Sequence, residues 1–125
     1  MAWTDRWLNL RYEAHGRGPK SYDCLGLFLA VQKAEFGREL DYGVVDIGPA
    51  EEMLRAEREG EWVPVKVACE GSAVLMRRGR GWHIGTAIDD MRMLHCDAPS
   101  GGSVIEFFTT RKWGGRLEGI YEYVG

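Results

Sequence analysis

Long hydrophobic runs are missing from this sequence. No window approaches the roughly 18 consecutive apolar residues that a membrane-spanning helix requires. The N-terminus, MAWTDRWLNL, also lacks the basic stretch followed by an apolar stretch that defines a secretory leader. The sequence therefore predicts a protein that is synthesised in the cytoplasm without a signal peptide and does not insert into a membrane.

An excess of basic residues is missing as well. The 125 residues carry a net charge of −3, with both signs dispersed along the chain. Such a charge distribution gives no reason to expect a nucleic-acid partner. The one basic cluster, formed by Arg77, Arg78 and Arg80, is typical of a solvated loop. We therefore predict that the protein binds no nucleic acid.

Cysteine is scarce, with only Cys24, Cys69 and Cys96. An odd number without regular spacing does not form a disulfide framework, and no CxxC pair indicates structural zinc. The sequence predicts synthesis in a reducing compartment, no cofactor, and inert Cys69 and Cys96 buried in strands. A metal site of Cys24, His83, His95 and Cys96 is the open alternative, although it lacks the short ligand spacings usual for zinc.

The first half of the chain has helical patterns. We predict a short helix from Thr4 to about Tyr12 with Thr4 as N-cap, and a third helix from about Ala50 to Arg58. Between them, the stretch SYDCLGLFLAVQKAEFGREL has apolar residues at the i, i+3, i+4 and i+7 spacing of a buried helical face. This face begins at Cys24, and Gly37 is the predicted stop.

After Gly60 the pattern changes to short β-branched or aromatic runs separated by turn residues. Six runs fit strands: EWVPVKVAC, SAVLMRR, HIGTAIDD, MRMLHC, SVIEFFTT and GIYEYVG. They predict a meander of antiparallel strands. Helices followed by strands indicate a single α+β domain over residues 1–125, with N-terminal helices packed on an antiparallel sheet.

Cys24 lies in the first turn of the predicted second helix, where Ser21 or Asp23 can act as the cap. Unpaired backbone N–H groups at a helix N-terminus favour an anion, so a thiol there can become a nucleophilic thiolate with a depressed pKa. A cysteine in an apolar helix is otherwise an inert core residue. Because Asp23 and a polar, glycine-rich approach precede Cys24, both interpretations stay open.

A thiol nucleophile also needs a base, and the chain has three histidines, His15, His83 and His95. His83 opens the run HIGTAIDD, and His95 lies near the end of MRMLHC. If these strands pair about the turn at Asp89 and Asp90, the two imidazoles fall nearly opposite on one face. One imidazole could then take the thiol proton while the other fixes the orientation of the first ring. The alternative is that each is an ordinary strand histidine, and His15 is interpreted as a loop residue.

The stretch RYEAHGRGPKSYDCLGL resembles the signature of NlpC-type cell-wall peptidases, in which a tyrosine, a glycine-rich loop and a D-C-x-G-[LF] run introduce the nucleophile. GSAVLM, HIGTAI and RMLHC are similar to the three strands that follow in that family, with its H-[VI]-G and [FL]-[IL]-H motifs. The resemblance covers nearly the whole chain. It implies a papain-like α+β fold.

Three catalytic residues are implied by this resemblance. Cys24 would be the nucleophile, and its backbone N–H would donate to the oxyanion. His83 would be the general base and then the general acid, and His95 would be the third polar residue, which orients His83. The implied reaction is hydrolysis of amide bonds in peptidoglycan stem peptides, typically between D-glutamate and the following diamino acid.

Three further residues are implied to bind the substrate. Tyr12 would line the cleft or help to stabilise the oxyanion, Asp23 would face the amino end of the peptide, and Gly85 would keep the strand beside the base free of a side chain. Two positions depart from the family pattern. Leu25 stands where many members have serine, which removes any contact from that hydroxyl, and Ser72 replaces an aspartate.

Many secreted relatives carry a leader or an added wall-binding domain, and we expect neither here, since no such pattern stands in the 125 residues. The sequence therefore resembles the tail-assembly peptidases of bacteriophages and gene transfer particles, which predicts other phage tail proteins as partners and the tail tip of a virion as location. Two alternatives stay open: a structural tail module with vestigial activity, and another amide hydrolase or acyltransferase on the same fold. The cysteine and both histidines favour an enzyme, because a scaffold needs none of them.

Overall fold

The computed structural model describes residues 2–40, 60–79 and 81–125. It is an α+β structure with one six-stranded antiparallel sheet. The helical elements are a 3₁₀ helix, Trp3–Trp7, and two α-helices, α1 (Cys24–Phe36) and α2 (Arg111–Gly114). The strands are β1 (Trp62–Val65), β2 (Ala73–Arg78), β3 (Gly81–Ala87), β4 (Arg92–Asp97), β5 (Gly102–Phe107) and β6 (Leu117–Tyr123). None of the described helices is long and apolar enough to span a membrane.

Two predictions concern parts of the chain outside the described residues. The third helix, from about Ala50 to Arg58, lies entirely there, and so does Arg80 of the basic cluster. The other two members, Arg77 and Arg78, lie in β2 and not in the predicted loop. A third prediction, the buried strand position of Cys69, is wrong. Cys69 lies after the end of β1 and is exposed, whereas Cys96 is buried in β4 as expected.

The N-terminal helix is shorter and tighter than predicted. It is a 3₁₀ helix that ends at Trp7, and the residue before it, Ala2, provides no side-chain cap. Thr4 is buried inside the helix and is therefore not its N-cap. The chain leaves helical geometry at Leu8, which is extended, and Asn9 then adopts a φ of 60°. Tyr12 instead forms a bridge with Tyr22, just before α1.

Helix α1 begins and ends where its capping chemistry predicts. Of the two candidate caps, Asp23 is the N-cap, and its Oδ1 accepts from the Gly26 N–H at 2.7 Å. Gly37 ends the helix with a φ of 66°, a left-handed conformation that glycine adopts without strain, and its N–H bonds to the Lys33 carbonyl at 3.2 Å. Cys24 is therefore the first residue of the helix.

Each of the six predicted runs overlaps one strand, but the sheet is not a simple meander. The strand order is β1-β6-β2-β3-β4-β5, so β2 to β5 follow the chain while β6 returns to lie between β1 and β2. Turn residues are a local signal that identifies strand ends, whereas the pairing of a returning strand depends on contacts between distant parts of the chain. The alternation within the runs could not predict this insertion.

The two faces of the sheet carry different packing. Leu25 and Phe28 of α1 pack against Ile84 and Leu75, which places α1 on one face. Successive strand residues point to opposite faces, so His83 points to the other face, where Trp113 of α2 lies. Cys24 packs with the α1-side core and lies beside the backbone of Ile84, the residue that follows His83.

Candidate functional site

His83 and His95 form a buried hydrogen-bonded pair. The His83 Nε2 and the His95 Nδ1 are 2.7 Å apart, and the side chains are 2% and 1% exposed. The predicted shared face is therefore present. In the pairing of β3 with β4, Ala87 lies opposite Met93. The same register places His95 opposite Gly85, so the two histidines are diagonal neighbours and do not lie directly opposite each other.

Gly85 leaves the space that this diagonal contact uses. A methyl group at position 85 would lie 3.2 Å from the His95 Cβ and 3.0 Å from the Met93 Sδ. Contacts of this kind are tighter than normal packing and would displace the neighbouring strand. The absence of a side chain at Gly85 thus allows the His95 ring to lie beside His83.

Glu106 extends the histidine pair, and the sequence did not indicate it. Its Oε1 is 2.8 Å from the His95 Nε2, and Lys112 Nζ lies 3.1 Å from its Oε2. Glu106 sits near the end of β5, which pairs with β4 through His95 and Val104. The one sequence signal for a role of Glu106 was a charged residue within the apolar run SVIEFF. Because a glutamate in a strand is usually solvated, this signal did not predict a contact with a histidine.

Trp113 holds both imidazole rings from one side. Its ring stacks on His83 at a centroid distance of 5.3 Å and an interplanar angle of 12°, and it meets His95 edge-on at 5.5 Å and 83°. The side chain is fully buried, and its Nε1 lies 3.4 Å from the Glu106 Oε2. The short helix α2 that carries Trp113 was not predicted, because four helical residues give no periodic pattern.

Burial keeps both histidines neutral. Burial, together with the neighbouring His95 and Arg78, lowers the pKa of His83 to about 3. Burial also lowers the pKa of His95, although Asp97 and the hydrogen bond to Glu106 oppose this effect. At neutral pH each ring therefore carries a single N–H, which leaves one nitrogen of each ring able to accept a proton.

Cys24 is half-buried, and its sulfur lies beside the backbone of Ile84, the residue that follows His83. The pKa of the thiol is raised to about 11. Burial is the largest cause and the Asp23 carboxylate acts in the same direction, whereas the backbone groups of Ile84 and Leu25 lower the pKa. The predicted depressed pKa is therefore wrong for this structure. Burial and an adjacent negative charge outweigh the favourable helix N-terminus. Within the described part of the chain, no hydrogen bond joins the Cys24 thiol to the His83 ring.

Asp23 and Tyr12 lie beside Cys24 on the side of the loop that precedes α1. Asp23 accepts a second bond, from Arg17 Nη1 at 2.7 Å, which holds its carboxylate at the start of the helix. Burial raises the pKa of Tyr12, and the nearby Cys24 and Asp23 raise it further. The structure thus places Tyr12 and Asp23 with the thiol.

Gly26 explains why the loop can approach the helix so closely. The Gly16 carbonyl oxygen accepts the Asp23 N–H at 3.0 Å and lies directly over Gly26. A side chain at Gly26 would collide with that oxygen. Only glycine at this position lets the glycine-rich loop pack against the first turn and orient Asp23.

Asp97 lies on the histidine side of the sheet as well. Its carboxylate is fully buried, with Oδ2 3.1 Å from Arg78 Nη2 and Oδ1 accepting from the Ser100 N–H at 3.0 Å. Metal-ligand atoms of His83, His95 and Asp97 lie within 4.8 Å of one another. However, the facing imidazole nitrogens bond to each other and Asp97 is bonded to Arg78, so these atoms serve a hydrogen-bond network as they stand.

The alternative metal set of Cys24, His83, His95 and Cys96 does not form a group among the residues that the structure describes. The Cys96 thiol instead donates to the Tyr22 carbonyl oxygen at 3.4 Å, on the α1 side of the sheet. Strand alternation separates it from His95, the residue before it.

The protonated state of Cys24 predicts the order in which the three thiols are alkylated. Iodoacetamide reacts with thiolates, so exposed Cys69 should be labelled before Cys24 at pH 7.5, and buried Cys96 last. In a Cys69→Ser variant, the labelling rate of Cys24 should rise about tenfold per pH unit between pH 7 and 9, because the thiol remains below its pKa. Peptide mapping by mass spectrometry gives each rate. Fastest labelling at Cys24 would contradict a neutral thiol.

Comparisons with known proteins agree with this architecture at the level of fold. No protein-family model and no curated protein matches the sequence. Among solved structures, an NlpC/P60 family protein from Bacillus cereus ATCC 10987 superposes with a TM-score of 0.70 and 21% sequence identity, over 95% of this chain and 37% of that chain. The chain thus spans little more than a third of that protein. The fold of this chain is that of an NlpC/P60 family protein.

Proposed function

We propose that the domain is a cysteine peptidase that hydrolyses amide bonds in peptidoglycan stem peptides. The observation that carries the proposal is the buried His83–His95 pair, whose ring nitrogens are 2.7 Å apart. The residue after His83, Ile84, has its backbone beside the Cys24 sulfur. A nucleophile, a base and a group that orients the base are the parts that thiol catalysis requires. The NlpC/P60 fold of the chain supports the same class of reaction.

In the proposed mechanism, His83 acts through Nδ1, because its Nε2 is bonded to His95. Nδ1 takes the proton of the Cys24 thiol as the sulfur attacks the carbonyl carbon of the peptide. The backbone N–H of Cys24, at the start of α1, donates to the oxyanion that forms. His83 then gives the proton to the amine as it leaves, and the acyl group stays on Cys24 as a thioester. A water molecule that His83 deprotonates attacks this thioester, and the Cys24 sulfur leaves and regains the proton from His83.

Substrate binding is proposed for Tyr12, Asp23 and Gly85. The fixed negative charge of Asp23 suits the free amino end of a peptide, and Tyr12 suits the wall of the cleft beside the sulfur. Gly85 leaves the strand next to the base without a side chain. The bond between D-glutamate and the following diamino acid is the proposed cleavage site. The papain-like character of the fold and a role in a phage tail tip stay predictions from the sequence.

The test is digestion of purified peptidoglycan, with the released fragments identified by mass spectrometry. Fragments that end in D-glutamate, paired with a new amino group on the diamino acid, are the expected result. Walls that contain different diamino acids should be digested in parallel, since cleavage of each defines the substrate. If the folded protein released no fragment from any of these walls, the proposal would be wrong.

A further inference from the structure

We propose that Glu106 is a positioning residue that fixes the tautomers of His95 and His83, so that Nδ1 of His83 carries no proton and can act as the base of the proposed reaction. This inference rests on the proposed function for its catalytic consequence. It concerns a residue that the sequence motifs do not include. The tautomers can be measured independently of hydrolysis, so the positioning role and the proposed reaction are tested separately.

The contacts form a continuous chain of three side chains. Glu106 Oε1 lies 2.8 Å from His95 Nε2, and His95 Nδ1 lies 2.7 Å from His83 Nε2. Both distances are those of short, well-formed hydrogen bonds. Each bond uses a different nitrogen of His95, so His95 links the carboxylate to His83.

Glu106 is held as an ionised acceptor. Burial raises the pKa of Glu106, but the hydrogen bonds from Lys112 and His95 outweigh burial, and the net effect is a lowered pKa. Lys112 Nζ lies 3.2 Å from Oε1 and 3.1 Å from Oε2, and Trp113 Nε1 lies 3.4 Å from Oε2. An ionised carboxylate only accepts hydrogen bonds, so the proton in the bond to His95 must belong to His95 Nε2.

The tautomer of His83 follows from that of His95. A neutral imidazole has one N–H, so a proton on Nε2 of His95 leaves its Nδ1 as an acceptor. The proton in the bond between the two rings must then come from His83 Nε2. Nδ1 of His83 is left without a proton. The carboxylate thus selects, across two rings, the nitrogen that can deprotonate Cys24.

Trp113 restricts the rotation of both imidazole rings. Its ring lies parallel to His83 and perpendicular to His95, and all three side chains are buried. Rotation of either imidazole about χ2 would break a ring contact together with a hydrogen bond. When His83 gains the thiol proton, the negative charge of Glu106 also stabilises the positive charge that forms.

The experiment is nitrogen NMR of protein labelled with ¹⁵N-histidine. The chain has only three histidines, so the ring signals can be assigned by substitution. In the wild type we expect both His83 and His95 as the Nε2–H tautomer. In Glu106→Gln, the amide N–H₂ can donate to His95 Nε2, so both rings should shift toward the Nδ1–H tautomer. Hydrolysis by Glu106→Gln should lose at least about 100-fold in kcat with little change in KM, and Glu106→Asp should restore part of it.

A matched control is Glu118→Gln, which makes the same chemical change on β6, where Glu118 forms an exposed ion pair with Arg77 at 3.5 Å. It should alter neither tautomer. Circular dichroism establishes that each variant is folded. Unchanged tautomers and kcat in folded Glu106→Gln, or a wild-type His83 protonated on Nδ1, would overturn the inference. A tautomer shift without any hydrolysis by the wild type would support the positioning role and reject the proposed reaction.

Discussion

Cys24→Ala should abolish the release of stem-peptide fragments and leave the protein folded. The change deletes one half-buried sulfur at the start of α1, so the free energy of unfolding should fall by only about 1 kcal/mol. The cap that Asp23 provides to Gly26 does not involve the thiol. Activity should nevertheless be undetectable, because no other group at the helix start can form the thioester. Digestion and thermal unfolding on the same preparation measure both effects.

Cys69→Ser is the control for this result, since Cys69 is exposed and lies in the turn before β2, where its N–H donates to Ser72 Oγ. It should digest peptidoglycan at the wild-type rate. Normal digestion by Cys24→Ala would reject the peptidase proposal. The structural alternative makes a different prediction, in which Cys24→Ala changes nothing and surface substitutions block assembly. Electron microscopy of assembled tails, with and without Cys24→Ala, separates these two outcomes.

His83→Gln should lower kcat by roughly 10² to 10⁴-fold, because it removes the group that accepts the thiol proton. It should also change how stability depends on pH. The pKa of His83 in the folded protein is about 3, whereas an unfolded histidine titrates near pH 6.5. Between these values only the unfolded chain takes up the proton, so stability is full above pH 6.5 and is lost as the pH falls toward 3.

At pH 4.5 this loss should reach up to about 3 kcal/mol in the wild type, measured by urea unfolding relative to pH 7. His83→Gln should reduce the loss, with His95 responsible for what remains. The acid limb of kcat/KM should lie well below pH 6 for the same reason. His15→Asn is the control, because His15 is exposed and adopts a φ of 63° that asparagine tolerates. An acid limb near pH 6.5 would contradict a buried neutral base.

Local chemistry made several elements predictable from the sequence. The limits of α1 follow from the Asp23 cap and from Gly37, whose effects extend over one helical turn. Each of the six strands overlaps a run predicted from alternation and turn residues, and the ends differ by at most two residues where a strand extends beyond its run. Chain order, together with the family resemblance, also singled out Cys24, His83 and His95 as the candidate residues.

Contacts between distant parts of the chain made other features unpredictable. Glu106 and Trp113 reach the histidines only because β5 pairs with β4 and α2 folds over the same face. Neither residue stands in a pattern that distinguishes it from a solvated glutamate or a core tryptophan. The position of β6 between β1 and β2 is of the same kind.

The sequence by itself therefore determined where α1 and the six strands lie along the chain, because capping, alternation and turn formation act over a few neighbouring residues. Tertiary structure alone decided their protonation and their partners. A helix N-terminus predicts an acidic thiol, but burial and Asp23 raise the pKa of Cys24 to about 11. Likewise, burial beneath Trp113 keeps His83 neutral. Desolvation depends on every atom packed around a group, and that packing exists only once the chain has folded.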